Sequence, residues 1–197
     1  MTRLSGVSPA ELRPGEDAIE RFERELGAVQ ATFGRSTPET LARRIVEALR
    51  EVGARHVGLT ADLGGGRRVL VEALRAADIE AVHYEAAAPS RDALRVMDAT
   101  VTGCVAAVAA TGSIITGERA GRAGALIAPA HLCVVERERL LDGLSQALRV
   151  IAGSGSSMLA LQSGPSRTAD IEKTLIMGMH GPKAAHVVLL DGRLDEV

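Results

Sequence analysis

Aromatic side chains are nearly absent: Phe22, Phe33 and Tyr84 are the only three, and there is no tryptophan. A surface that holds nucleic acid by stacking bases on rings has almost nothing to work with. Cysteine is scarce too. Cys104 and Cys133 stand far apart, with no CxxC. The chain therefore encodes no iron–sulfur cluster, zinc ribbon or other recognisable metal set of its own. Two cysteines build no disulfide framework, which fits a reducing compartment. No uncharged apolar run approaches the roughly 20 residues of a membrane helix, and no apolar stretch follows the first charges as in a signal peptide. These absences lead us to expect a cytoplasmic protein without membrane insertion. Lysine is almost missing: Lys173 and Lys183 are the only two, and arginine carries the remaining positive charge. The net charge of -2 gives no bulk attraction to nucleic acid or anionic membrane.

What remains is 46% apolar residues over 197 positions, enough for one domain with a core of Leu, Val, Ile and Ala. Residues 1–15 read as an irregular tail. Residues 16–33 fit a charged helix with Ile19, Phe22, Leu26 and Val29 on one face. The expected division is a tail and helix over 1–36, then an α/β domain over 37–197. Thr37-Pro38 starts a second helix, capped by Thr37, with Leu41, Ile45 and Leu49 at helical spacing. His56 to Leu59 reads as a buried strand, residues 64–68 as a glycine-rich loop into a helix, and Ala81 to Tyr84 as another strand. Val101 to Cys104 and Ser113 to Thr116 look like strands; between them, Val105 to Ala110 fits a short helix or a strand equally. His131 to Val135 is a strand before a helix bearing Leu140, Leu144, Ala147 and Ile151. Met158 to Leu161 is a strand, about 169–178 a helix, and His186 to Leu190 the last long strand. Alternating strands and helices imply parallel pairing. The expected fold is three-layered and doubly wound, a mostly parallel sheet with helices on both faces.

The richest chemistry lies in Ser163-Gly164-Pro165-Ser166-Arg167-Thr168-Ala169-Asp170. It is expected past the carboxyl end of a strand and before a helix, where open α/β sheets bind ligands. There Ser163, Ser166 and Thr168 offer hydroxyls, Gly164 permits close backbone approach, and Arg167 suits a carboxylate or phosphate. A capped structural turn explains the same residues: Thr168 caps, Asp170 complements the helix dipole, and Arg167 pairs with an acid. Met179-His180-Gly181-Pro182-Lys183 follows, with His180, Gly181 and Lys183 as a second candidate segment expected at the far end of that helix. Thr111-Gly112-Ser113 suits oxyanion contacts or a plain turn. His131 reads as a ligand contact or as a packed histidine. Residues 64–68 lack the lysine and hydroxyl of a P-loop. Cys104 has no base near it in sequence and reads best as a buried thiol.

Thr102-Gly103-Cys104, Ala110-Thr111-Gly112-Ser113, Pro129-Ala130-His131, the run from Ser163 to Glu172, and Gly178 to Lys183 occur in an order similar to that of the LUD-domain family. The likeness is to its lactate utilization protein C type and covers about residues 38–191. The Ser163 run joined to His180-Gly181-Pro182-Lys183 is its specific part. The resemblance implies a fold like the NagB, RpiA and CoA-transferase-like group. It also implies a part in oxidising L-lactate to pyruvate, with iron–sulfur clusters on companion proteins. It assigns no catalytic residue. Two other functions fit the residues: a stand-alone enzyme on a phosphate- or CoA-bearing small molecule, and a non-catalytic scaffold or regulatory subunit.

Overall fold

A computed structural model of the chain describes residues 10–84, 96–117, 125–153, 159–169, 175–177 and 181–197. Helix α1 (Ala18–Ala28) opens where Asp17 accepts the backbone N–H groups of Ile19 at 2.8 Å and Glu20 at 2.9 Å, a side-chain cap on otherwise orphaned donors. Phe22 and Leu26 recur one turn apart and are buried. The helix is shorter than the residue pattern predicts. Gln30 adopts a left-handed conformation, with φ 63°, and the chain leaves as strand β1 (Thr32–Ser36). Helix α2 (Pro38–Glu51) starts as expected, with Pro38 in the first turn and Thr40 Oγ1 accepting the Thr37 N–H at 3.0 Å.

The chain continues through β2 (His56–Thr60), a 3-10 turn (Ala61–Leu63), α3 (Gly66–Ala76), β3 (Glu80–Tyr84) and β4 (Ala99–Thr102). Residues 105–110 divide between strand β5 (Ala106–Val108) and a 3-10 turn (Ala109–Thr111). Then come β6 (Ser113–Thr116), β7 (Ala130–Glu136), β8 (Leu140–Leu141), α4 (Leu144–Gly153) and β9 (Ala160–Gln162). Strands β10 (Arg167–Ala169), β11 (Leu175–Met177) and β12 (Ala184–Leu190) complete the described elements.

The main sheet has six parallel strands in the order β1-β12-β7-β4-β2-β3. Its side chains alternate between two cores, as a pleated strand buried on both faces requires. Leu132 and Val134 of β7 and Val188 and Leu190 of β12 face α2 and α3 through Leu41, Ile45, Leu49, Leu70 and Leu74. Their neighbours Cys133, Val135, Val187 and Leu189 face Phe22 and Leu26 of α1 together with Ala107 and Ile114. Each fully buried leucine or isoleucine contributes about 1.5–3 kcal/mol relative to exposure. The second layer on the α1 side is a four-stranded sheet, β8-β5-β6-β9. The architecture is thus α/β, with helices on both faces of a parallel sheet.

One expectation is overturned. Residues 167–177 hold no helix among their described positions; β10 and β11 pair antiparallel, Arg167 opposite Met177 and Ala169 opposite Leu175. Thr168 faces Ile176 in that register, and β-branched residues suit a pleated pair better than a helix. The Ser166 N–H donates to the Pro182 carbonyl at 2.8 Å and closes the neck below the hairpin. Two consequences follow. The Ser163 loop leaves β9, a strand of the smaller sheet, so it does not cap a carboxyl end of the parallel sheet. The Ser163 and Gly181 segments are neighbours rather than occupants of opposite helix ends.

Candidate functional site

Strands β7 and β12 begin side by side, Ala130 opposite Ala184. Four separate loops meet around this amino edge. Lys183 and Ala184 donate their backbone N–H groups to the Pro129 carbonyl at 2.7 and 3.2 Å. The Gly181 backbone lies against Ser166 and the Leu126 carbonyl. Gly164 and Gly112 rest on the end of α1. Both have positive φ, 76° and 59°, and a Cβ on either would lie 2.5 Å from Val29 O or 2.8 Å from the Glu25–Leu26 peptide. Only glycine fits both conformation and space.

Between these loops runs a chain of hydroxyls. Thr111 Oγ1 is hydrogen-bonded to Ser113 Oγ at 2.8 Å, and Ser113 Oγ to Ser163 Oγ at 2.6 Å. Ser113 is buried and Ser163 exposed, so the chain leads from the interior to solvent. Deeper lies His131, fully enclosed, its Nε2 hydrogen-bonded to Thr102 Oγ1 at 2.9 Å. Burial pushes its pKa down to about 4, while the Gln162 side chain beside it pulls the other way. The ring is therefore neutral at physiological pH and acts as a hydrogen-bonding group, not as a cation for an anion. Gln162 Nε2 is buried without a hydrogen-bond partner among the described residues. A cavity of about 10 Å³, lined by Gly112, Ile114, His131, Gln162 and Gly164 among others, has room for one water rather than for a metabolite.

The structure thus brings together Thr111, Gly112, Ser113, Ser163, Gly164, Ser166, Gly181 and the Lys183 backbone, with His131 beneath them. Lys183 is exposed. Arg167 and Thr168 lie on β10, while Asp170 and His180 fall outside the described residues. Gln162 and Thr102 join the cluster although neither stands out as a site residue in the sequence. Gln162 was detectable as the polar end of an apolar strand.

A second group lies at the other end of the sheet. Asp62, in the turn after β2, accepts from Thr60 Oγ1 and, at 3.1 Å, from the Gly103 N–H. Burial raises its pKa despite these donors. Cys104 and Cys133 are free and buried nearby, and the Cys133 thiol is pushed well above its ordinary pKa by Cys104 beside it and by burial. Among the described residues no group of three or more His, Cys, Asp or Glu is arranged to hold a metal ion. No described helix is long and apolar enough to cross a membrane.

Comparison with known proteins adds four findings. The model of the LUD domain matches residues 19–190. A lactate utilization protein C from Deinococcus radiodurans is 36% identical over 98 residues, 47% of this chain and 46% of that protein. One from Halalkalibacterium halodurans is 33% identical over 85 residues, 40% of this chain and 37% of that protein. The matched stretches therefore span less than half of these relatives. A crystal structure of a DUF162 family protein from Deinococcus radiodurans superposes over 94% of this chain and 99% of that one, with a TM-score of 0.65 at 23% identity. That likeness establishes the fold.

Proposed function

The chain belongs to the LUD domain family, and on that premise we propose that it serves lactate utilization. In this reading it is a cytoplasmic subunit of a system that oxidises L-lactate to pyruvate together with iron–sulfur companion proteins. The observation that carries the reading is the family match across residues 19–190, joined to relatives named lactate utilization protein C. The chain supplies two cysteines, both buried, where a cluster takes four thiolates. The reading therefore assigns the clusters and the electron transfer to the companions. This chain's share is to bind lactate, a small anionic product or a partner surface. Thr111, Ser113, Ser163 and Ser166 offer hydroxyls for such contacts, and neutral His131 with Gln162 holds their floor in place.

Reconstitution tests it. The full chain is mixed with its companion proteins, and lactate-dependent reduction of a dye acceptor is followed. Turnover should depend on this chain and rise with it to a stoichiometric plateau. Equal turnover with and without it would refute the proposal.

A further inference from the structure

The strand order places the ends of β2 and β4 in a special position. From β2 the chain moves outward to β3 and then returns to β4 on the other side of β2. The connections diverge there, and the crevice between the carboxyl ends of two such strands is where open α/β sheets admit ligands. The residues at this point are Thr60, the last of β2, Asp62 just beyond it, and Gly103, next after β4.

Asp62 spans the crevice. Its Oδ1 accepts from Thr60 on one side and Gly103 on the other, so the carboxylate is fixed in place. It is largely desolvated, and the basic group acting on it is Arg139, in the turn after β7. Arg139 is 40% exposed. Its Nη1 donates to the Cys104 carbonyl and its Nε pairs with Glu136. Those bonds hold the guanidinium while Nη2 has no partner among the described residues. Among the described residues the Cys133 thiol also faces Asp62. A poorly solvated carboxylate gains from a hydroxyl donor, and a guanidinium with an open edge suits a carboxylate.

We propose that the crevice between the carboxyl ends of β2 and β4 binds a 2-hydroxycarboxylate. Arg139 holds the acid group, and Asp62 accepts the hydrogen bond of the adjacent hydroxyl. This site is distinct from the joint around Ser163, and its ligand class rests on the lactate reading above.

Calorimetric titration of the full chain with L-lactate, and separately with glycolate, tests the proposal. Both probes should bind saturably. Asp62→Asn keeps an oxygen for Thr60 and Gly103 but loses the negative charge, and should weaken binding about tenfold or more. Arg139→Lys, which keeps a positive charge beside buried Glu136 but loses the planar fork, should do the same. Arg43→Gln, on the exposed face of α2, should bind like the wild type. Unchanged affinity in both crevice variants, with L-lactate still bound, would remove the site and leave the lactate reading standing. Binding of glycolate but not of L-lactate, lost in both variants, would keep the site and remove that reading. No saturable binding of either probe would overturn the site.

Discussion

The two ends of the parallel sheet are built on opposite physical terms. At the amino edge, most of the loops that carry the family likeness meet through backbone contacts, glycine close approaches and neutral hydroxyls. There His131 is enclosed and held uncharged. At the carboxyl edge, Asp62 is kept in poor solvation between two strand ends, with Arg139 acting on it. The first arrangement spends its constraints on holding loops together. The second keeps charge where charge is costly, a condition that stability alone does not favour. Recognisable sequence and poised chemistry thus need not coincide.

Substitutions at the two edges should separate these terms. The largest effect is expected from Gly164→Val at the amino edge. A β-branched residue at φ 76° whose Cβ meets Val29 O at 2.5 Å combines backbone strain with overpacking, costing about 3 kcal/mol or more. Thermal denaturation should show a drop in Tm of about 6–12 °C. Acid comes next. His131 has a pKa of about 4 in the folded chain against an ordinary 6.5, so between these values the unfolded state binds more protons. Stability should be full above pH 6.5 and fall as the pH drops toward 4, by about 3 kcal/mol from this ring. His186, also lowered by burial, adds to the same slope. Urea titrations across that range should be flatter in His131→Gln. Ser163→Ala removes one bond of an accessible hydroxyl chain, and urea titration should register about 1 kcal/mol. Asp62→Asn should act in the other direction. Removing a desolvated charge at neutral pH should raise stability by on the order of 1 kcal/mol, seen as a higher Tm. A fall there comparable with that of Gly164→Val would erase the contrast between the edges.

Much of the fold was legible in the residues. Leu41, Ile45 and Leu49 declare a helix, and the unbroken apolar runs at β7 and β12 declare strands buried on both faces. The hairpin was not legible. Arg167-Thr168-Ala169 followed by acidic residues looks like a helix start, and only the tertiary Ser166–Pro182 bond shows that the chain folds back. The end of α1 was hidden for a related reason: Val29 extends the apolar stripe, but the reversal at Gln30 stops the helix. At the candidate sites, the residue types of Ser113, Ser163 and His131 drew attention, while their partnership depends on strands far apart in sequence. Asp62 carries no motif. What marks it is its place immediately after β2 beside β4, and strand order is a property of the assembled sheet.

That sheet also dictates an order of events during synthesis. Strand β1 pairs along its whole length with β12, Thr32 opposite His186 through Ser36 opposite Leu190. A strand made early must wait for one made much later. Contacts so distant along the chain carry a large loop-closure cost and slow folding. On the ribosome, β2, α3 and β3 can associate as soon as they emerge, since they are consecutive. The flank formed by β1 has no strand to pair with until residues 184–190 are free. Until then the nascent chain carries an unpaired strand edge, a state prone to association with its neighbours.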